Sequence, residues 1–135
     1  MPAQPSRDDY PIGEPPLPED ADLGFYESMM VSVRLRGDPT IRRIFKAGDW
    51  GLLWSMMEEM WVTPGCGLDG DVETLSNAAG IDCLAWVEKW AALFEPALLR
   101  CRNGRVYLRA WIGDVLKSWR CRQKGIAWTV RRQML

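Results

Sequence analysis

Four arginines, Arg100, Arg102, Arg105 and Arg109, crowd around a single Asn103-Gly104 pair. A guanidinium offers several N–H donors in a planar fork and keeps its charge at every physiological pH, which suits phosphate and carboxylate oxygens. Lys117, Arg120, Arg122 and Lys124 follow them, and Lys89 precedes them. These nine residues point to anion binding, and nucleic-acid phosphate is the obvious anion. Catalysis needs other residue types. The chain has no His, so the side chain that titrates near neutral pH is missing. Neither a G-x-x-x-x-G-K-[ST] phosphate loop nor a G-x-S-x-G nucleophile turn occurs. Glu58-Glu59 reads as the solvated face of a helix, and Asp69 with Asp71 is too thin a set for a cation. Cys66, Cys83, Cys101 and Cys121 stand singly, whereas structural zinc sites use closely spaced pairs. The expectation is a non-enzymatic protein with no metal and no cofactor.

The charge is unevenly spread. Residues 1–98 carry a balance of −10 and residues 99–135 one of +9, within a net charge of −1. An acidic front and a basic end suggest separate electrostatic tasks, although the two halves could also neutralise each other. No charged-then-apolar leader opens the chain, and no apolar run approaches the ~20 residues that span a bilayer. The expected location is cytoplasmic, with reduced thiols and no membrane partner.

These cations need elements to hold them. Residues 1–22 contain six prolines, six acids and one base, a composition that predicts a disordered acidic tail. Within it Pro15-Pro16-Leu17-Pro18 could dock in a partner's groove. Residues 23–36 fit two patterns. Phe25, Tyr26, Met29, Met30 and Val33 share a helical face, while Val31, Val33 and Leu35 alternate as in a strand, and the expectation is a short element packing on the main domain.

Gly37-Asp38-Pro39 is helix-start punctuation, with Asp38 as N-cap and Pro39 at the first position. Ile41, Ile44 and Phe45 then face inward, and Asp49 can cap the next helix. There Leu52, Leu53, Met56, Met57, Met60 and Trp61 form a continuous apolar stripe. The run from Thr63 to Gly67 breaks that helix. A short helix over 72–79 ends at Gly80, and a second starts after Asp82 and ends by Pro96. Leu75, Ile81, Val87, Trp90 and Leu93 are expected to share their core. Helix, Gly turn and helix make a helix-turn-helix plan. Asn103-Gly104 between two short runs predicts a two-residue hairpin in a type I′ turn. Leu99, Cys101, Val106 and Leu108 would point inward and the four arginines outward. Trp111, Ile112, Val115, Leu116 and Trp119 recur at helical spacing, with Gly125 as a stop or kink. The predicted fold is mainly α with a small β-hairpin, a winged helix-turn-helix over 23–124 followed by a basic extension over 125–135.

The chain resembles the winged-helix domains of unknown function in phage and prophage replication proteins. The resemblance rests on Gly37-Asp38-Pro39, the run from Trp50 to Trp61 and the Gly-rich loop behind it. Thr74 to Ile81, Trp86, Ala92-Leu93-Phe94 and Gly104 to Trp111 complete it, so that it covers about residues 25–124. It implies a DNA-associated role in a mobile element. The chain lacks a recognisable ATPase or loader-binding segment, which separates it from a full replication initiator.

Two functional readings follow. In the first, the basic hairpin and the basic last helix bind DNA through its backbone, with weak sequence preference. The second motif helix offers Lys89 alone as a cation, against Asp82 and Glu88, and lacks Arg, Asn or Gln for base edges. In the second, the acidic Pro-rich tail and the Met/Trp surfaces dock on a host or phage protein complex. Homodimerisation would fit either, since helix-turn-helix proteins often pair to match two half-sites.

Overall fold

A computed structural model describes residues 13–134 except Phe25, Glu27 and Asp49, and only the backbone of 126–134. The expected capping by Asp49, the inward Phe25 and the tail over residues 1–12 therefore lie outside the described residues.

Helix α1 (Pro39–Lys46) starts as its sequence dictates: the Asp38 carboxylate accepts from the Thr40 and Ile41 amides, and Pro39 needs no partner for a missing N–H. Ile41 and Ile44 are buried, whereas Phe45 is half-buried and stacked on Trp50. Helix α2 (Trp50–Val62) buries all six residues of the expected stripe. A tight turn at Pro64–Cys66 ends it. Helix α3 (Val72–Ala79) is capped by Asp71 and closed by Gly80 at φ 81°, a left-handed position that glycine fills without a Cβ penalty. Ser55 of α2 donates to the Ala78 carbonyl at 2.7 Å, joining α2 to α3.

Asp82 caps the next helical rod through the Ala85 amide. The rod comprises α4 (Cys83–Ala85), a π turn (Trp86–Trp90) and α5 (Ala91–Phe94). Its buried stripe is Trp86, Trp90 and Phe94, with ring centroids 5.2 Å (Trp86–Phe94) and 6.4 Å (Trp90–Phe94) apart. This corrects the expected core: Val87 is 58% exposed, and Ile81 and Leu93 are only half-buried. The π turn widens the helix at the two tryptophans, and these larger rings take the inward face.

Three antiparallel strands complete the α+β fold: β1 (Leu68–Asp69), β2 (Leu98–Arg100) and β3 (Arg105–Leu108), in the order β1-β3-β2. Val106, Tyr107 and Leu108 of the central strand are all buried, so β3 is covered on both faces. Gly67 is required beneath Tyr107, since a Cβ there would stand 2.6 Å from the ring. A short turn at Arg109–Trp111 leads into α6 (Ile112–Met134). This helix runs through Gly125, which neither stops it nor divides the expected extension from the domain.

Composition misread the front of the chain. Residues 13–22 pack on the domain: Leu17 and Ala21 are buried, with Leu23 just beyond them, and the Gly65 amide donates to the Ala21 carbonyl. Among the described residues of 23–36 the short element is a 3-10 turn (Val33–Gly37), which packs on the domain through buried Leu35 and leaves Val33 89% exposed. The Trp111 indole donates to the Met30 carbonyl at 2.8 Å, and Asp114 accepts from the Ser32 amide at 2.7 Å. These bonds anchor the segment to the start of α6.

Candidate nucleic-acid interface

The hairpin forms where it was expected, with different geometry. Gly104 has φ 81°, while Asn103 keeps a negative φ. The Gly104 amide donates to Cys101 at 3.0 Å, and the Cys101 amide to the Arg105 carbonyl at 2.9 Å. The loop is therefore the three residues Arg102, Asn103 and Gly104, the arrangement in which an αL glycine closes a type I turn. Asn103 contributes through its side chain, whose carbonyl accepts from the Arg105 amide at 3.1 Å.

This extra loop residue shifts the strand pairing, which brings Arg100 opposite Val106 and Leu98 opposite Leu108. One step of register exchanges the two faces of a strand. Arg100 therefore does not point out to solvent. Its side chain is 16% exposed and forms a bidentate pair with Glu95, with Nη2 to Oε2 at 2.8 Å.

The other wing arginines also have partners. Arg105 donates to the Pro64 carbonyl, and Arg109 reaches the Leu98 carbonyl at 3.4 Å. Arg102 pairs with Glu14 at 3.0 Å while both side chains stay largely exposed. The front segment also adds to the open edge of β2: the Gly13 amide donates to Arg100 at 2.8 Å, and Gly13 accepts from the Arg102 amide at 3.2 Å. The wing is thus braced from within and edged by an acidic segment.

The remaining predicted cations lie elsewhere. Lys89 sits over the Trp90 ring, 4.6 Å from its centroid. On α6, Lys117, Arg120 and Lys124 are exposed. Their spacing of three and four residues puts them on one helical face. Arg122 is half-buried and has an interaction of its own. The nine predicted residues thus differ in their surroundings: the wing arginines have partners, although Arg102 and Arg109 stay exposed, and Lys117, Arg120 and Lys124 form an exposed cationic stripe on α6.

Before the wing in sequence, the 83–94 rod presents Leu84 at 66% and Val87 at 58% exposure, beside exposed Glu88. A polar cleft of about 380 Å³ lies between α2, α3 and the sheet, lined by Glu59, Asp69, Thr74, Asn77 and Arg105 among others. Asp71, considered beside Asp69 for a cation, instead caps α3; two hydrogen bonds from Thr74 hold its carboxyl below the usual range. Among the described residues no group of three or more His, Cys, Asp or Glu converges on a point, and no helix is long and apolar enough to cross a membrane.

Sequence reasoning missed a second cationic region. Arg34, Arg36, Arg42, Arg43 and Lys46 fall within thirteen residues that contain Asp38 as the single acid. The −10 balance of the whole front section concealed them; a shorter counting window would have found them. Comparison with family models, curated proteins and solved structures finds no match for the chain.

Proposed function

We propose that this protein is a non-enzymatic, winged-helix nucleic-acid-binding module of the kind found in phage and prophage replication proteins, and that it grips the DNA backbone through α6. The architectural part is supported by the order α2, β1, α3, the 83–94 rod, β2 and β3, with β3 central in the sheet. That is a helix-turn-helix followed by a hairpin. The observation that carries the function is the exposed stripe of Lys117, Arg120 and Lys124, which make no ion pair among the described residues. Exposed cations are available to displace counterions from phosphates. Lys89 and Arg102 add charge nearby in sequence but already have ring or carboxylate contacts. The rod would be a poor base reader, because its exposed side chains include Leu84, Val87 and Glu88 and no Arg, Asn or Gln.

A mobility shift on duplex DNA at two salt levels tests this. Replacing Lys117, Arg120 and Lys124 together with Glu should weaken binding and flatten the salt slope by about 3, from a wild-type value of about −5 for six phosphate contacts. Arg102→Glu should have a smaller effect. Failure of duplex to shift at low salt, or indifference to the α6 substitutions, would defeat the proposal.

Exposed Leu84 and Val87 favour a second reading, a protein-docking rod on the same framework. Leu84→Asp with Val87→Asp separates the two, since the pair should leave backbone-led DNA binding intact while abolishing capture of a protein partner or self-association in sedimentation.

A further inference from the structure

We infer that the α1–α2 corner is a stacking site for single-stranded nucleic acid, separate from the α6 stripe. The corner is built around a ladder of planar groups. Phe45, at the end of α1, stacks on Trp50, at the start of α2, with centroids 4.0 Å apart and planes 10° from parallel. Trp54, one turn further, stands 5.8 Å from Trp50 at 43°. The Arg36 guanidinium lies over the Phe45 ring, 5.4 Å from its centroid. None of the three rings is fully buried, although this chain buries Trp61, Trp86, Trp90 and Trp111 nearly completely.

Two open hollows flank this ladder. One, of about 450 Å³, is lined by Arg36, Arg42, Phe45 and Lys46. The other, of about 500 Å³, is lined by Trp50, Gly51, Trp54, Ser55 and Glu58. Gly51 puts no side chain between the two tryptophans. The first hollow has three exposed cations and no acid in its lining. Among the described residues these cations make no ion pair, unlike Arg100 and Arg102.

Aromatic planes beside exposed cations match the two parts of an unpaired nucleotide. Each base has a π-face to stack, and the phosphate next to it needs a cation. A guanidinium plane stacks bases as well, so Arg36 can cover a base as it now covers Phe45. A duplex hides its base faces and would use only the cations. Glu58 sets the polarity, because phosphate is repelled from the α2 hollow and held on the α1 side, leaving bases to stack in that hollow against the open ring surface of Trp54 and Trp50. An acidic peptide would satisfy the cations and leave the rings unused.

The experiment is fluorescence anisotropy at fixed salt with labelled oligothymidylate, an abasic strand of equal length, and a polyglutamate competitor. Oligothymidylate should bind about tenfold more tightly than the abasic strand, since base–aromatic stacking is lost with the bases. Trp54→Ala should remove that difference, and Arg42→Glu with Lys46→Glu should weaken both strands alike. Urea midpoints close to wild type would show that the variants are folded. For a folded variant that falls short, Trp54→Phe, which keeps a ring, should restore the preference.

The α6 charge-reversal variant should still prefer oligothymidylate to the abasic strand, so this site and the α6 reading can fail independently. Equal affinity for the two strands would overturn the inference. So would an unchanged preference in folded Trp54→Ala, loss of the preference on α6 reversal alone, or polyglutamate binding more tightly than oligothymidylate.

Discussion

The wing hairpin and α6 are both rich in cations, yet they present them in opposite ways. In the wing, Arg100 is held by Glu95, Arg105 by the Pro64 carbonyl, Arg109 by the Leu98 carbonyl and Arg102 by Glu14. On α6, Lys117, Arg120 and Lys124 project from a helix flank with no acid beyond Asp114, which faces the Ser32 amide instead. The difference shows that a cation's worth to a partner depends on what the fold has already offered it. Strands bring residues from distant parts of the chain alongside, so hairpin arginines meet carbonyls and carboxylates. The exposed flank of a helix meets few.

The largest expected effect removes the frame that both regions share. Trp111 lies at the passage from wing to α6, 1% exposed, tilted against Trp61 at 5.8 Å and hydrogen-bonded to Met30. Trp111→Ala should cost about 3–5 kcal/mol, read as a lower urea midpoint with an unchanged slope. Wing and α6 should unfold together, and separate transitions by two site-specific probes would break the view that one core supports both.

The next effect contrasts two ion pairs inside the wing. Glu95→Ala strands the poorly exposed Arg100 guanidinium and should destabilise the protein by about 1–3 kcal/mol. Arg102→Ala opens a pair whose side chains are 75% and 73% exposed, and should change stability by less than ~1 kcal/mol. Equal costs in urea denaturation would mean that the wing arginines are not divided into bracing and surface roles.

Much of this framework was legible. Asp38 and Asp82 cap helices, Gly80 closes one, and all six residues of the α2 stripe are buried. Such signals are local, because a cap or an apolar stripe is determined within a turn or two of helix. The illegible parts depend on distant residues. Leu17 and Ala21 sit among prolines and acids, so composition reads them as tail, and only the domain surface they meet makes them core. The three-residue loop was missed because Asn-Gly serves more than one hairpin type, and the choice moved Arg100 from solvent to Glu95. Val87 was placed in the core by ideal helical spacing, which the π turn alters. The Phe45–Trp50–Trp54 ladder was hidden because α1 and α2 had each been read for their inward faces.

The smallest effect carries the same contrast to the thiols. Cys66 and Cys101 belong to the braced side: Cys66 lies in the turn before β1 and Cys101 beside the Gly13 bridge, and both are buried. Cys83 and Cys121 lie on the helices and are exposed. Burial, with the Asp22 charge adding to it, pushes the Cys66 thiol from 9.0 to about 12, and burial likewise raises Cys101. Thiolate is the reacting form, so iodoacetamide should modify Cys83 and Cys121 in the native protein and spare the other two. Peptide mapping by mass spectrometry checks this, and rapid labelling of Cys101 would mean that the front segment does not seal the wing edge. The same shift fixes a pH response. Above 9.0 the unfolded chain gives up the Cys66 proton while the folded chain keeps it until about 12, so this thiol's contribution to stability is whole below 9.0 and declines as the pH rises across that interval. Cys66→Ala should flatten the alkaline fall in urea midpoint, and an unchanged fall in that variant would show that this thiol does not set it.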